Sequence, residues 1–282
     1  MCRKLLAESS SITYLEHEAA EIYLTSSKGP QTCFKIFGSP YSPGRRGWAF
    51  QYADDAAAQR LWSDIEDDND IIITHTPAHG HCDETNRDEM SGCPILKQAL
   101  ARVRPMLHIC GHIHDARGVE RIRWSPSSPS PLSEQSTLGC VDCVEKWEDP
   151  GAGNKKISLL DLTARSRLRL DNTGRLAHTN LIVPRDLCVG PDQLDQYSYQ
   201  NTGDRKGTWR RMTSGAIEYR RCRIDKPTSD TVGVQRNETA VINAAILGLR
   251  NTGKARTLNK PIVVDIELPV WNRHASHDEE HI

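Results

Sequence analysis

The sequence predicts an α/β protein, and three observations predict it. A run of β-branched residues, Ile71-Ile72-Ile73, leads to His75. A second apolar run, residues 106–110, leads to Gly111-His112-Ile113-His114. Between them, residues 93–103 place Ile95, Leu96, Ala99 and Val103 near a 3.6-residue period, which is the signature of a helix with one apolar face. Two strands joined by a crossover helix usually lie parallel and close together in one sheet. All three histidines then emerge at one sheet edge, where open α/β sheets carry their sites.

The remaining elements follow in chain order. Residues 12–15 and 21–24 read as short strands around a polar turn at Glu16-His17-Glu18. Lys28-Gly29-Pro30 marks a turn, residues 34–37 a strand, and Gly38-Ser39-Pro40 its stop. Residues 48–52 read as an aromatic strand. Asp54 and Asp55 then supply an N-cap and a first-turn acid for a helix ending near Trp62. Residues 117–122 read as an edge strand. Ser- and Pro-rich sequence follows, and residues 125–156 are expected to be linker or surface loop. Residues 157–282 read as an extension, partly disordered, with a strand at 157–162, a helix at 238–249 and a strand at 261–268; much of 164–235 is expected to be irregular or disordered. The helix expectation rests on Val241, Ala245 and Leu249 sharing one face.

Composition narrows the function classes. At 282 residues the chain holds one large domain or two small ones. A net charge of −1 gives no global attraction to nucleic acid or to a membrane, and neither is an expected partner. No apolar stretch reaches signal-peptide length near the start, and none approaches the ~18 residues of a membrane span. The expected location is intracellular, in the cytoplasm. Nine cysteines without a small-domain framework fit reduced thiols. A mean hydropathy of −0.57 is low for a folded globule of this size and fits long irregular segments.

Neutral imidazole is a common ligand for transition metals, and three at two strand ends could help build such a site. If 112–114 is extended, His112 and His114 point to the same side. The alternative for each histidine is a hydrogen bond within a loop. His75, His79, His81 and Cys82 also form a dense cluster, and Cys140 and Cys143 have C-x-x-C spacing without a second pair. Neither is favoured as a zinc site. The basic stretch 205–223, with Trp209 and Tyr219, reads as a solvated loop rather than a nucleic-acid surface. Asn237-Glu238-Thr239 reads as a helix start.

THTPAHGHCD, GC followed by the helix, RPMLH and GHIH together resemble the C-terminal half of a calcineurin-like metallophosphoesterase. FGSPYSP and WAFQY resemble the segment upstream of the lone histidine in the metallophosphoesterase-domain proteins, and the downstream GNKKISLLDL, RNETAVINAAI and NKPIVVDIELPVW resemble the C-terminal extension of those of fungal type. The resemblance implies a four-layer α/β/β/α sandwich, with residues 1–124 as the C-terminal part of its phosphoesterase domain. It implies a hydrolase of small-molecule phosphate esters, nucleotides among the candidate substrates, with two divalent ions (Mn, Fe or Zn). His75 and His112 would ligate one metal and His114 the other, with His79 and His81 on the substrate side. The family's D-x-H, G-D-x-x-D/R and G-N-H-D/E elements do not occur at matching places in this chain. The resemblance therefore implies an N-terminally truncated version with weak or no activity. The alternative is a non-catalytic remnant that acts as an interaction or regulatory protein.

Overall fold

Ile71 and Ile72 are neighbours in sequence and lie in different hydrophobic cores. That split follows from the two-residue period of a strand buried on both faces. The computed structural model describes residues 6, 12–24, 32–44, 47–87, 89–125, 141–147, 156–172, 217–221, 236–248 and 257–268. These residues fall in one unit, comprising 1–174 and 216–282.

The strands are β1 (Glu18–Leu24), β2 (Thr32–Ser39), β3 (Ser42–Pro43), β4 (Gln51–Tyr52), β5 (Ile71–Thr74) and β6 (Leu107–Cys110). They continue as β7 (Gly118–Trp124), β8 (Val141–Lys146), β9 (Ser158–Asp161), β10 (Ile217–Arg221), β11 (Glu238–Asn243) and β12 (Ile262–Asp265). Two helices are described in full, α1 (Asp55–Trp62) and α2 (Pro94–Val103). Eight strands form one sheet in the order β10-β1-β2-β5-β6-β11-β7-β8. Its centre, β2-β5-β6-β11, is parallel, and the flanking pairs are antiparallel. The α/β reading holds in this form: a mixed sheet with few helices.

Both helices pack on one face of the sheet. Trp62 and Ala58 from α1 and Leu96, Leu100 and Val103 from α2 meet Phe37, Ile72, Ile122 and Val241 from the strands. Local sequence sets the helix starts. Asp54 accepts a hydrogen bond from the Ala57 amide at 2.8 Å, as an N-cap should. Cys93 takes the same place in α2, where Pro94 opens the helix. On the opposite face, β9 and β12 pair with each other, and Leu160 joins Ile71, Leu107, Val119 and Ile242 in the second core.

Several expectations require correction. Residues 238–249 do not begin a helix; Glu238–Asn243 is strand β11, between β6 and β7. All six of its residues are buried, so the apolar run lacks the alternation of a half-exposed strand, and periodicity misreads it. The strand expected at the sheet edge, 117–122, is interior for the same reason: β11 pairs with one side of β7 and β8 with the other. Residues 141–146, expected within the linker, form β8, while 126–140 and 148–155 lie outside the described residues. Residues 12–15 form no strand, and the aromatic strand at 48–52 shortens to β4. Of the irregular stretch 164–235, residues 217–221 form β10 on the outer side of β1, and 173–216 and 222–235 lie outside the described residues. Cys140 and most of the basic stretch 205–223 also lie outside them.

Candidate functional site

The C-terminal ends of β2, β5 and β6 lie side by side because these strands run parallel. β5 ends in His75 and β6 leads through Gly111 to His112. The Gly111 amide donates to the His75 carbonyl at 3.2 Å, which ties the two strand ends together. Ile113 donates back to the Gly111 carbonyl at 2.7 Å, closing a three-residue turn around His112, whose φ is +64°. The turn aims the His112 ring at His75. His112 Nδ1 and His75 Nε2 share a hydrogen bond at 3.1 Å, and the ring centroids are 4.7 Å apart.

The extended arrangement of 112–114 does not form. His112 occupies the turn and His114 opens a short 3-10 turn, His114–Ala116, so the two do not share one face of a strand. His114 still acts on the pair electrostatically. Burial, and then His114, holds the His75 pKa below its ordinary value. Burial first, then His75 and His114, does the same for His112. Both rings therefore favour the neutral form, in which each keeps one unprotonated nitrogen and one of the two facing nitrogens donates to the other.

The other two histidines behave differently. His79 is partly exposed, with Nδ1 3.8 Å from Asp83 Oδ2. His81, expected on the substrate side, is buried with only 2% of its surface exposed, and its Nδ1 lies 3.4 Å from Glu120 Oε2. Asp83 folds the loop that carries both: its Oδ2 accepts from the amides of Gly80 at 3.0 Å and Gly92 at 2.8 Å. Beneath this loop lies a buried polar group that sequence reading missed, comprising Thr74, His108, Glu120 and Asn243. Asn243 donates to the carbonyls of Cys82 at 3.0 Å and Ile113 at 2.8 Å, joining the loop to the histidine turn. A polar Asn interrupting the apolar run TAVINAAI was the available signal.

Two nitrogens bound to one cation at about 2.0–2.1 Å each stand roughly 3 Å apart at a right angle. The His75–His112 spacing fits two positions on one cation. Among the described residues, no group of three or more His, Cys, Asp or Glu is arranged to hold a metal ion. Among those residues, too, no helix is long and apolar enough to cross a membrane.

No family model matches the chain. Over 139 residues, 49% of the chain, it is 38% identical to a protein of Emericella nidulans named probable rhamnogalacturonate lyase C, and the match covers 12% of that protein. Over 100 residues, 35% of the chain, it is 38% identical to human metallophosphoesterase domain-containing protein 1, covering 31% of it. Over 110 residues, 39% of the chain, it is 33% identical to a UPF0046 protein of Caenorhabditis elegans, covering 26% of it. The chain thus spans between 12% and 37% of the length of the curated relatives described by these and similar matches. The two names in that set that state a chemistry differ, and the lyase name belongs to a protein of which only a small part is matched. Over the matched portion, this chain is similar to metallophosphoesterase-domain proteins.

Proposed function

We propose that this chain carries the histidine part of a metal-dependent phosphoesterase within a four-layer α/β/β/α sandwich. In this reading His75 and His112 hold one divalent cation of the Mn, Fe or Zn type, with His114 beside them. Such a cation would supply a Lewis acid for a phosphoryl oxygen. The observation that carries the reading is the 3.1 Å approach of His75 Nε2 and His112 Nδ1 at two adjacent parallel strand ends. The substrate class is a small phosphate ester. Turnover by this chain alone is weak or absent, because the described residues bring no carboxylate to the pair.

Calorimetric titration with Zn²⁺ and Mn²⁺ tests the binding, alongside an assay with bis(p-nitrophenyl) phosphate. The expected result is about one cation per chain, with affinity reduced at least tenfold in both His75→Ala and His112→Ala. Saturable binding that neither substitution weakens, or no binding at all, would overturn the reading. The second reading is a non-catalytic interaction protein. It is favoured by Ile73, 39% exposed on the sheet face beside the site. No saturable cation binding and no detectable turnover is its expected outcome.

A further inference from the structure

A cavity of about 830 Å³ opens directly beside His75 and His112. Its walls include Tyr14, Trp48, Phe50, Ile73 and Ile109, and among the described residues no Asp, Glu, Lys or Arg lines it. The volume lies in the range of small-molecule sites. Trp48 is 68% exposed and presents an uncovered indole to this space.

The aromatic wall is built against local preference. Phe50 has a φ of +58°, a conformation that a bulky residue adopts only when its surroundings enforce it. The enforcing contacts are visible. Ser42 donates to the Phe50 carbonyl at 2.9 Å, Gly44 donates to that of Tyr52 at 3.0 Å, and the Phe50 ring packs edge-on against Tyr41 at 5.7 Å. The floor depends on Gly38. A Cβ there would stand 2.7 Å from Leu15 Cβ, so only glycine lets Leu15 approach this closely.

Resting on the phosphoesterase reading, we propose that the cavity receives an uncharged, planar aromatic substituent of the phosphate ester, with its phosphoryl group at the His75–His112 end. A charged substituent would lose its hydration against walls that offer no opposite charge. A planar ring instead gains contact with the faces and edges of Trp48, Phe50 and Tyr14. The polar groups at one end and the apolar walls beside them match the two parts of an aryl ester.

The test is calorimetry on the full chain with diphenyl phosphate and dimethyl phosphate, each with and without Zn²⁺. Diphenyl phosphate is expected to bind at least tenfold more tightly. That preference should fall several-fold in Trp48→Ala and persist in Trp48→Phe, which keeps a flat ring. Equal affinity for the two esters, or a preference untouched by Trp48→Ala, overturns the assignment. Zn²⁺ binding without an aryl preference leaves the phosphoesterase reading standing and removes this one. An aryl preference that depends on Trp48, without Zn²⁺ binding, removes the metal reading and supports the cavity as an aryl site. Trp48 is 68% exposed, so its substitution is expected to leave the core packed, and circular dichroism checks that the variants fold.

Discussion

The Thr74 hydroxyl lies 2.9 Å from His108 Nε2 and donates onward to the Thr76 carbonyl at 2.6 Å. Because that hydroxyl's proton is committed to a carbonyl, His108 must carry its own proton on Nε2 and donate to Thr74. The two bonds hold the backbone on either side of His75. They also place a fully buried imidazole at the base of the site.

Burial, and then the neighbouring His81, lowers the His108 pKa to about 3. In the unfolded chain a histidine titrates near 6.5, so the unfolded state binds the extra proton first as pH falls. The stability tied to neutral His108 is fully present above pH 6.5 and is lost as pH falls from there toward 3. Its slope is at most about 1.4 kcal/mol per pH unit. Urea unfolding of the chain and of His108→Gln, measured from pH 7.5 to 4.5, checks this. The variant keeps an N–H donor and should show a flatter profile; parallel profiles would contradict the assignment.

Asp83 satisfies two backbone donors of the loop that carries His79 and His81. Asp83→Ala leaves the Gly80 and Gly92 amides without that acceptor. Because hydrogen bonds to charged groups are among the stronger ones, the expected loss is about 2–4 kcal/mol. Chemical denaturation measures it, and a loss below about 0.5 kcal/mol would show that the loop does not depend on the carboxylate.

Two glycines near the site should respond unequally to alanine. At Gly92 a Cβ would stand 2.6 Å from the carbonyl of Ala78 and 2.8 Å from Asp83 Oδ2. Backbone must move to admit it, so Gly92→Ala is expected to cost roughly 1–3 kcal/mol. At Gly111 nothing lies within 4 Å of a Cβ. Gly111→Ala should change stability by no more than about 0.5 kcal/mol. Comparing the thermal midpoints of the two variants decides the point; equal shifts would refute it.

Arg236 reaches Asp70 at the start of β5 and also donates to the Asn69 carbonyl at 3.2 Å. Asp70 in turn accepts the Lys35 amide at 2.7 Å, and both side chains of the ion pair are largely buried. Removing the cation with Arg236→Met strands the carboxylate, at an expected cost of about 3–5 kcal/mol. Adding Asp70→Asn to that variant should recover part of the loss. A double variant no more stable than Arg236→Met would argue against an uncompensated charge as the cause.

Much of the frame around the site is readable from short-range pattern. The helix starting after Asp54, the helix after Cys93, the strands before His75 and His112, and the gathering of histidines at one edge all follow from cap residues and local periodicity. What the pattern could not supply depends on residues distant in sequence. β11 reads as helical until β6 and β7 pair with its two edges and the two cores bury its faces. His81 and His108 read as ordinary loop and strand histidines until the loop and sheet exclude water from them. The turn at His112 and the strained Phe50 arise from hydrogen bonds and ring contacts that hold the backbone where its own preference would not. Local sequence therefore accounts for the elements and for which histidines stand at the edge. Packing alone settled which imidazoles meet, which are buried and what shape of space lies beside them, because pairing and desolvation are properties of the assembled chain.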